Sequence, residues 1–574
     1  MSTKLSIKPR RRLLNLALLA ALGGGALASA SASAADLYWA CGAAAWDDPC
    51  WSSTPGGAPV LGPPLPDGDN GFQSTGSLSA YDETIGWAGT STFTQSGGTN
   101  TVSNFLTLGK LNGSNGSYAL SGLGTLTAGF EFIGRDGIGA FTQSGFQHTV
   151  NNIFVLGVNS GSNGSYTLNS GLLSAKKNET IGSYGTGSFT QIGGTHAVTG
   201  GLTLSTFSGS NGSYTLNSGN LSAGSEIIGH HGTGASFTQN GGTNTVKYDL
   251  ALGYGTTGNG SYIMSGNSGL LTNGSEIIGS EGTGVFTQND GSHAIKQNLS
   301  VGAFAGSNGS FILNSGKLSV GLIEDIGQYG TGTFTQNGGE HTVGEHLSLG
   351  SWVSNAGSGT YNLMGGTLAV LKGINNWGSF YVGTGTTATV GGIGFYNRGG
   401  ALLSGGGTIA GNVTSFGTVG PGNSPGVLSI EGNYTQWASG TYAAEIGGLL
   451  AGTQYDVLNV SGTAFLDGLL NVSLFDLGSG LFAPQAGDYF DILTANTITG
   501  SFSSLSFAAL SNPNLFWHIE YLTDAIGATD VVRLSIGQNV VPTTPVPEPE
   551  TYAMLLAGLG LLGFTARRRK NNAA

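Results

Sequence analysis

Charged side chains make up 9% of this 574-residue sequence, against about 25% in an ordinary soluble domain. Networks of surface salt bridges therefore cannot organise the fold. Cations are scarcer still: of 19 Lys and Arg, five lie in residues 1–12 and four are Arg567, Arg568, Arg569 and Lys570. Setting aside Glu548 and Glu550, 29 acidic residues face the remaining ten cations, a body charge near −19. That balance argues against a nucleic-acid partner, because phosphate neutralisation needs clustered Lys and Arg. Proline numbers only 15 and no Gly-X-Y period occurs, which excludes collagen. With two cysteines, neither a dense disulfide scaffold nor a cysteine-rich metal domain is available.

What is abundant is glycine, at 104 residues, accompanied by Ser, Thr, Asn and Val. Glycine costs about 1 kcal/mol at a helix position, so a helical architecture is disfavoured. Hydrophobic residues at 39% and a mean hydropathy of +0.07 can nonetheless bury a core, which excludes a disordered polyelectrolyte. The composition points to an all-β fold rich in turns.

Both ends look like addresses. Residues 1–35 have a basic start through Arg12, an apolar stretch Leu13–Leu27 and small residues Ala32-Ser33-Ala34-Ala35, the layout of a secretory signal peptide. The arginine triplet is compatible with either general or twin-arginine export. In an exported chain Cys41 and Cys50 are expected to form a disulfide amid Trp39, Trp46 and Trp51. At the other end a Pro-rich stretch leads to Val546-Pro547-Glu548-Pro549, an apolar run from Thr551 to Ala566, and Arg567-Arg568-Arg569-Lys570. Sixteen helical residues span roughly 24 Å, so the run is expected to cross a membrane with the arginines snorkelling on the cytoplasmic side. This layout resembles the PEP-CTERM sorting signals. The resemblance implies processing by a membrane-embedded exosortase, a transient anchor, and delivery to the surface or extracellular matrix of a Gram-negative, exopolysaccharide-producing cell. The resemblance also carries an ice-binding association.

Between the ends lies a repeat. A Phe-Thr-Gln triplet recurs with its aromatic at Phe93, Phe141, Phe189, Phe237, Phe286 and Phe334, spaced 48, 48, 48, 49 and 48 residues apart. A second aromatic recurs at Tyr118, Tyr166, Tyr214, Tyr262, Phe311 and Tyr361, so each repeat holds two half-units. Each half-unit has three short alternating segments, such as Phe189-x-Gln191, His196-x-Val198 and Leu202-x-Leu204. Three strands and three turns in about 24 residues make one coil of a right-handed parallel β-helix, whose coils satisfy one another's backbone at ~4.8 Å spacing. Corners needing φ > 0 then account for the glycine, including the Asn163-Gly164 and Asn211-Gly212 pairs. A propeller of 48-residue blades fits three-segment half-units less well.

The expected organisation is a signal peptide at 1–35, a disulfide-bearing cap at 36–85, and six repeats at 86–365. Degenerate coils and a C-terminal β cap follow at 366–541, then the sorting signal at 542–574 with a transmembrane segment at 551–566. Residues 405–510, with runs such as Gly420-Pro421-Gly422-Asn423-Ser424-Pro425-Gly426 and Val460-Ser461-Gly462-Thr463-Ala464, resemble the distal passenger region of autotransporter adhesins. That resemblance implies coils ending in a more sandwich-like cap.

Three polar columns recur once per repeat: Glu83, Glu131, Glu179, Glu226, Glu276 and Glu324; Asn100, His148, His196, Asn244, His293 and His341; and Gln95, Gln143, Gln191, Gln239, Gln288 and Gln336. The glutamates are expected at corners accepting turn N–H bonds, too far apart for a glycosidase pair. Asn and His alternate in the second column, which suggests backbone hydrogen bonding rather than zinc. The glutamines read as a third column of the same kind.

If the aromatics point inward, their neighbours form two outward files. Nine of eleven coils from Thr92 to Thr333 carry Ser or Thr in the first file. Eight carry Thr in the second: Thr94, Thr142, Thr167, Thr190, Thr215, Thr238, Thr287 and Thr335. This flat, uncharged array suits ordinary exposed strand residues, a glycan, or ordered water as on ice. Enzyme signatures are sparse: Glu131/Arg135/Asp136, Lys176/Lys177/Glu179 and His230/His231 are departures within single repeats. Asp67-Gly68-Asp69-Asn70-Gly71 begins like a Ca²⁺ loop but lacks the later bidentate Glu. No cofactor or metal is expected. The reading is a non-catalytic exported surface, matrix or adhesin-like rod; the alternatives are a polysaccharide-binding or polysaccharide-degrading β-helix and an ice-binding protein.

Overall fold

The computed structural model describes residues 35–58, 68–351, 353, 357–422, 425–478, 480–539 and 549–571. The signal-peptide stretch and Val546, Pro547 and Glu548 lie outside the described residues.

Coils of about 24 residues wind into a parallel β-solenoid of about 17 turns. At ~4.8 Å per coil the stack is roughly 80 Å long. One coil runs through Thr186–Gln191 and Thr195–Leu204, the next through Asn211–Leu216 and Asn220–Ile228. Their register is in phase, with Phe189 against Tyr214 and Thr190 against Thr215 on one face, His196 against Leu221 and Leu202 against Glu226 on the others. The second and third faces merge into one strand through a bulge between Val198 and Gly201. Parallel pairing throughout the repeats excludes the propeller, whose blades are antiparallel.

The repeat aromatics form one buried stack along the axis. Ring centroids are 4.8 Å apart for Tyr118–Phe141, 4.7 Å for Phe141–Tyr166 and 4.8 Å for Phe334–Tyr361, with planes within 7° of parallel. The spacing is that of the strands carrying them, so backbone register and ring stacking reinforce each other. At the N-terminal end Asp36–Trp39 pairs parallel with Asn70–Gln73 and antiparallel with Trp51–Ser52. Cys41 and Cys50 are disulfide-bonded, and Trp46 and Trp51 lie 5.5 and 6.4 Å from Phe93, closing the aromatic stack.

Corner glycines such as Gly182 do take positive φ, at +74°. The Asn-Gly pairs differ from expectation: Asn163-Gly164 and Asn211-Gly212 begin strands. A Cβ on Gly212 would lie 2.1 Å from the Ile181 carbonyl oxygen, so that glycine serves close backbone approach rather than a turn. Past Tyr361 the coils continue to Ser504–Phe507. They end in an antiparallel layer in which Thr529–Gln538 pairs with Tyr489–Gly500 on one side and Leu515–Ile526 on the other.

A helix spans Pro549–Asn571. The transmembrane expectation for 551–566 is not met, because no helix among the described residues is long and apolar enough to cross a membrane. Crossing needs about 20 residues, and any such stretch of this helix includes Glu550 or the arginine cluster.

Candidate functional site

Alternation fixes which side chains enter the solenoid. Glu179 shares strand parity with Ile181, His196 with Val198 and Gln191 with Phe189, and all three polar residues are fully buried. The glutamates are therefore not at corners, and the His/Asn column bonds to side chains rather than backbone. Only the glutamines reach backbone as expected.

These columns meet in a relay spanning three coils. Gln191 Nε2 donates to the carbonyls of Gly194 and Asn220 at 3.2 and 3.1 Å, so its Oε1 accepts the Tyr214 hydroxyl proton at 2.6 Å. The Tyr214 oxygen is left as acceptor for His196 Nδ1–H at 2.9 Å, and His196 Nε2 meets Glu179 at 2.8 Å. The fixed donors at the glutamine end thus place a hydrogen on His196 Nδ1. His148/Glu131, His293/Glu276 and His341/Glu324 repeat the Nε2–carboxylate contact at 2.9 Å each. In the first and fourth repeats an asparagine amide replaces the imidazole as a double donor. Asn100 Nδ2 lies 2.9 Å from Glu83 and 3.2 Å from Tyr118, and Asn244 Nδ2 lies 3.1 Å from Glu226 and 3.3 Å from Tyr262. Beside a neutral amide these two carboxyls titrate high: burial pushes Glu83 to about 7 and Glu226 to about 8, the Asn bonds opposing.

The fifth repeat breaks the relay. Phe311 stands where the others have Tyr, and Gln288 Oε1 and His293 Nδ1 are both buried without a hydrogen-bond partner. Phe311→Tyr should restore both bonds and raise stability by about 1–3 kcal/mol, read as a higher denaturation midpoint. No gain would mean that the relay contributes nothing at that coil.

Parity was the signal that could have found this interior: a Glu two residues before an inward Ile must itself point inward. The same rule separates the expected charged clusters. Glu131 and Glu179 face the core, whereas Lys176 and Lys177 are exposed, Asp136 accepts from Asn159 at 2.7 Å, and His230 stacks on Tyr254 at 5.2 Å. No acid–base cluster is assembled there. Asp67 lies outside the described residues, and no group able to hold a metal ion occurs among those described.

Outside, the two hydroxyl files differ. Three first-file serines turn back on the coil below: Ser165 donates to the Gly139 carbonyl at 3.3 Å, Ser213 to that of Gly187 at 3.5 Å and Ser261 to that of Ala235 at 3.4 Å. Second-file threonines stand in straight register, Thr142 against Thr167, Thr190, Thr215 and Thr238 in succession. All eight are at least partly exposed, and their hydroxyls have no partner within the described protein.

Compared with known families, residues 545–570 match the model of the PEP-CTERM protein-sorting motif. No curated protein matches the chain. The sorting motif marks an exported protein that exosortase processes.

Proposed function

We propose that this chain is a non-catalytic rod of the cell surface or extracellular matrix, in which the threonine file contacts exopolysaccharide. The observation that carries this is the file itself: eight hydroxyls free of internal partners on one flat, uncharged face. Charge is kept off this face, since stacked coils would turn any charged position into a like-charged column. The non-catalytic reading is supported by the buried carboxylates and imidazoles, which are engaged with one another and shut off from any substrate.

Two measurements test this. Cells expressing the chain without 546–574 are expected to release it or hold it internally, while the full chain is retained at the surface; unchanged retention sinks the sorting route. Binding of secreted polysaccharide is expected to fall at least tenfold in Thr190→Lys with Thr215→Lys, which places two cations in the file. Equal binding would remove the threonine file as the contact. Thermal hysteresis in the parent, lost in the same variant, would instead favour the ice-binding alternative.

A further inference from the structure

The threonine file does not begin with a threonine. In register it runs Tyr38, Phe72, Thr94, so that two outward aromatics head the N-terminal end. Tyr38 and Phe72 stack at 4.9 Å with planes 18° apart. Beyond them the file steps down to the smaller Thr94, and the space over that threonine belongs to a cavity of about 240 Å³. Pro55 and Gly56 of the loop after Trp51–Ser52 form another wall, with Ser96 at the rim.

This wall is braced rather than free. Ser52 pairs with Tyr38, its hydroxyl accepts the Thr54 N–H at 3.2 Å, and Gly57 N–H closes onto the Thr54 carbonyl at 3.0 Å. The Cys41–Cys50 disulfide ties the two strands beneath. Beneath the cavity Trp39, only 6% exposed, turns its ring inward onto Trp51 at 5.3 Å and so backs the strand that carries Tyr38.

We infer that this cavity is a binding site for one neutral sugar ring, the terminal or capping residue of a glycan lying along the threonine file. The inference rests on the proposed glycan contact and locates its specificity. An aromatic face covers the apolar C–H side of a sugar while the hydroxyls of Thr94, Ser74 and Ser96 meet its oxygens. No Lys, Arg, Asp or Glu lines the cavity, so an uncharged ring is favoured over a uronate. The volume lies below the ~300–1,000 Å³ that drug-sized ligands fill, which suits one ring.

The test uses the full chain, with tryptophan fluorescence titrations against glucose, galactose, mannose, N-acetylglucosamine and glucuronate, alongside a printed glycan array. At least one neutral sugar should bind and glucuronate should bind at least tenfold more weakly. Phe72→Ser should lower that affinity at least tenfold, as should Thr94→Trp, which fills the cavity from an outward position; unchanged thermal unfolding confirms the fold of each. If the parent binds glycans on the array and both variants bind them equally, the pocket is wrong and the threonine-file contact stands. If the parent binds no glycan at all, both readings fall.

Discussion

Replacing His196 with leucine is expected to destabilise the rod by about 3–5 kcal/mol, because Glu179 then sits in the core without its donor. The Tyr214 oxygen loses its Nδ1–H partner in the same step. The loss at Glu179 dominates, because breaking a buried pair by removing one partner costs more than an unpaired hydroxyl oxygen, which costs about 1–3 kcal/mol. Adding Glu179→Leu should therefore recover most of the loss, since replacing both members of a buried pair by apolar groups is often close to neutral. His196→Asn should cost less than His196→Leu, because Asn100 and Asn244 already bridge carboxylate and tyrosine with one amide. Guanidinium unfolding of the three variants, together with local amide exchange in the coils around Glu179, measures the coupling. If Glu179→Leu makes the leucine variant worse, the pair is not the source of the loss.

The second large effect is on pH. Glu83 and Glu226 have folded values raised from 4.5 to about 7 and about 8. A raised folded value means that the native state holds a proton that the unfolded chain releases. Their contribution is then fully present below about pH 4.5 and lost as pH rises through 7 to 8. At about 1.4 kcal/mol per unit, the two together are worth several kcal/mol between pH 5 and 9. Glu83→Gln with Glu226→Gln keeps an acceptor for each Asn and removes the titration, so the fall in stability over that range should flatten. Denaturation midpoints measured every half unit would decide, and an unaltered slope would mean that other groups carry it.

Much of the architecture was legible in the chain. The 48-residue period, its division into two half-units and the inward phase of Phe189 and Tyr214 led to the coil, the register and the outward threonine file. The interior is less legible, because Glu and His are ordinarily surface residues and the glutamate column lies next to glycine turns; only strand parity with residues such as Ile181 turns it inward. Similarly, the apolar run before Arg567 suggested a membrane crossing, yet a crossing length of the helix takes in charge at one end or the other.

By itself the sequence determined a stack of equivalent coils, because only a periodic chain returns the same side chain to the same height on every turn. It also fixed the address, since the sorting motif is read as a linear segment. The tertiary structure alone decided which polar residues meet. Glu179, His196, Tyr214 and Gln191 lie on three successive coils and on different faces, and they touch only because winding the chain turns those faces toward a common axis. The same holds for the cavity at the N-terminal end, where Pro55 and Gly56 are set beside Phe72 and Thr94 by strand pairing rather than by any motif.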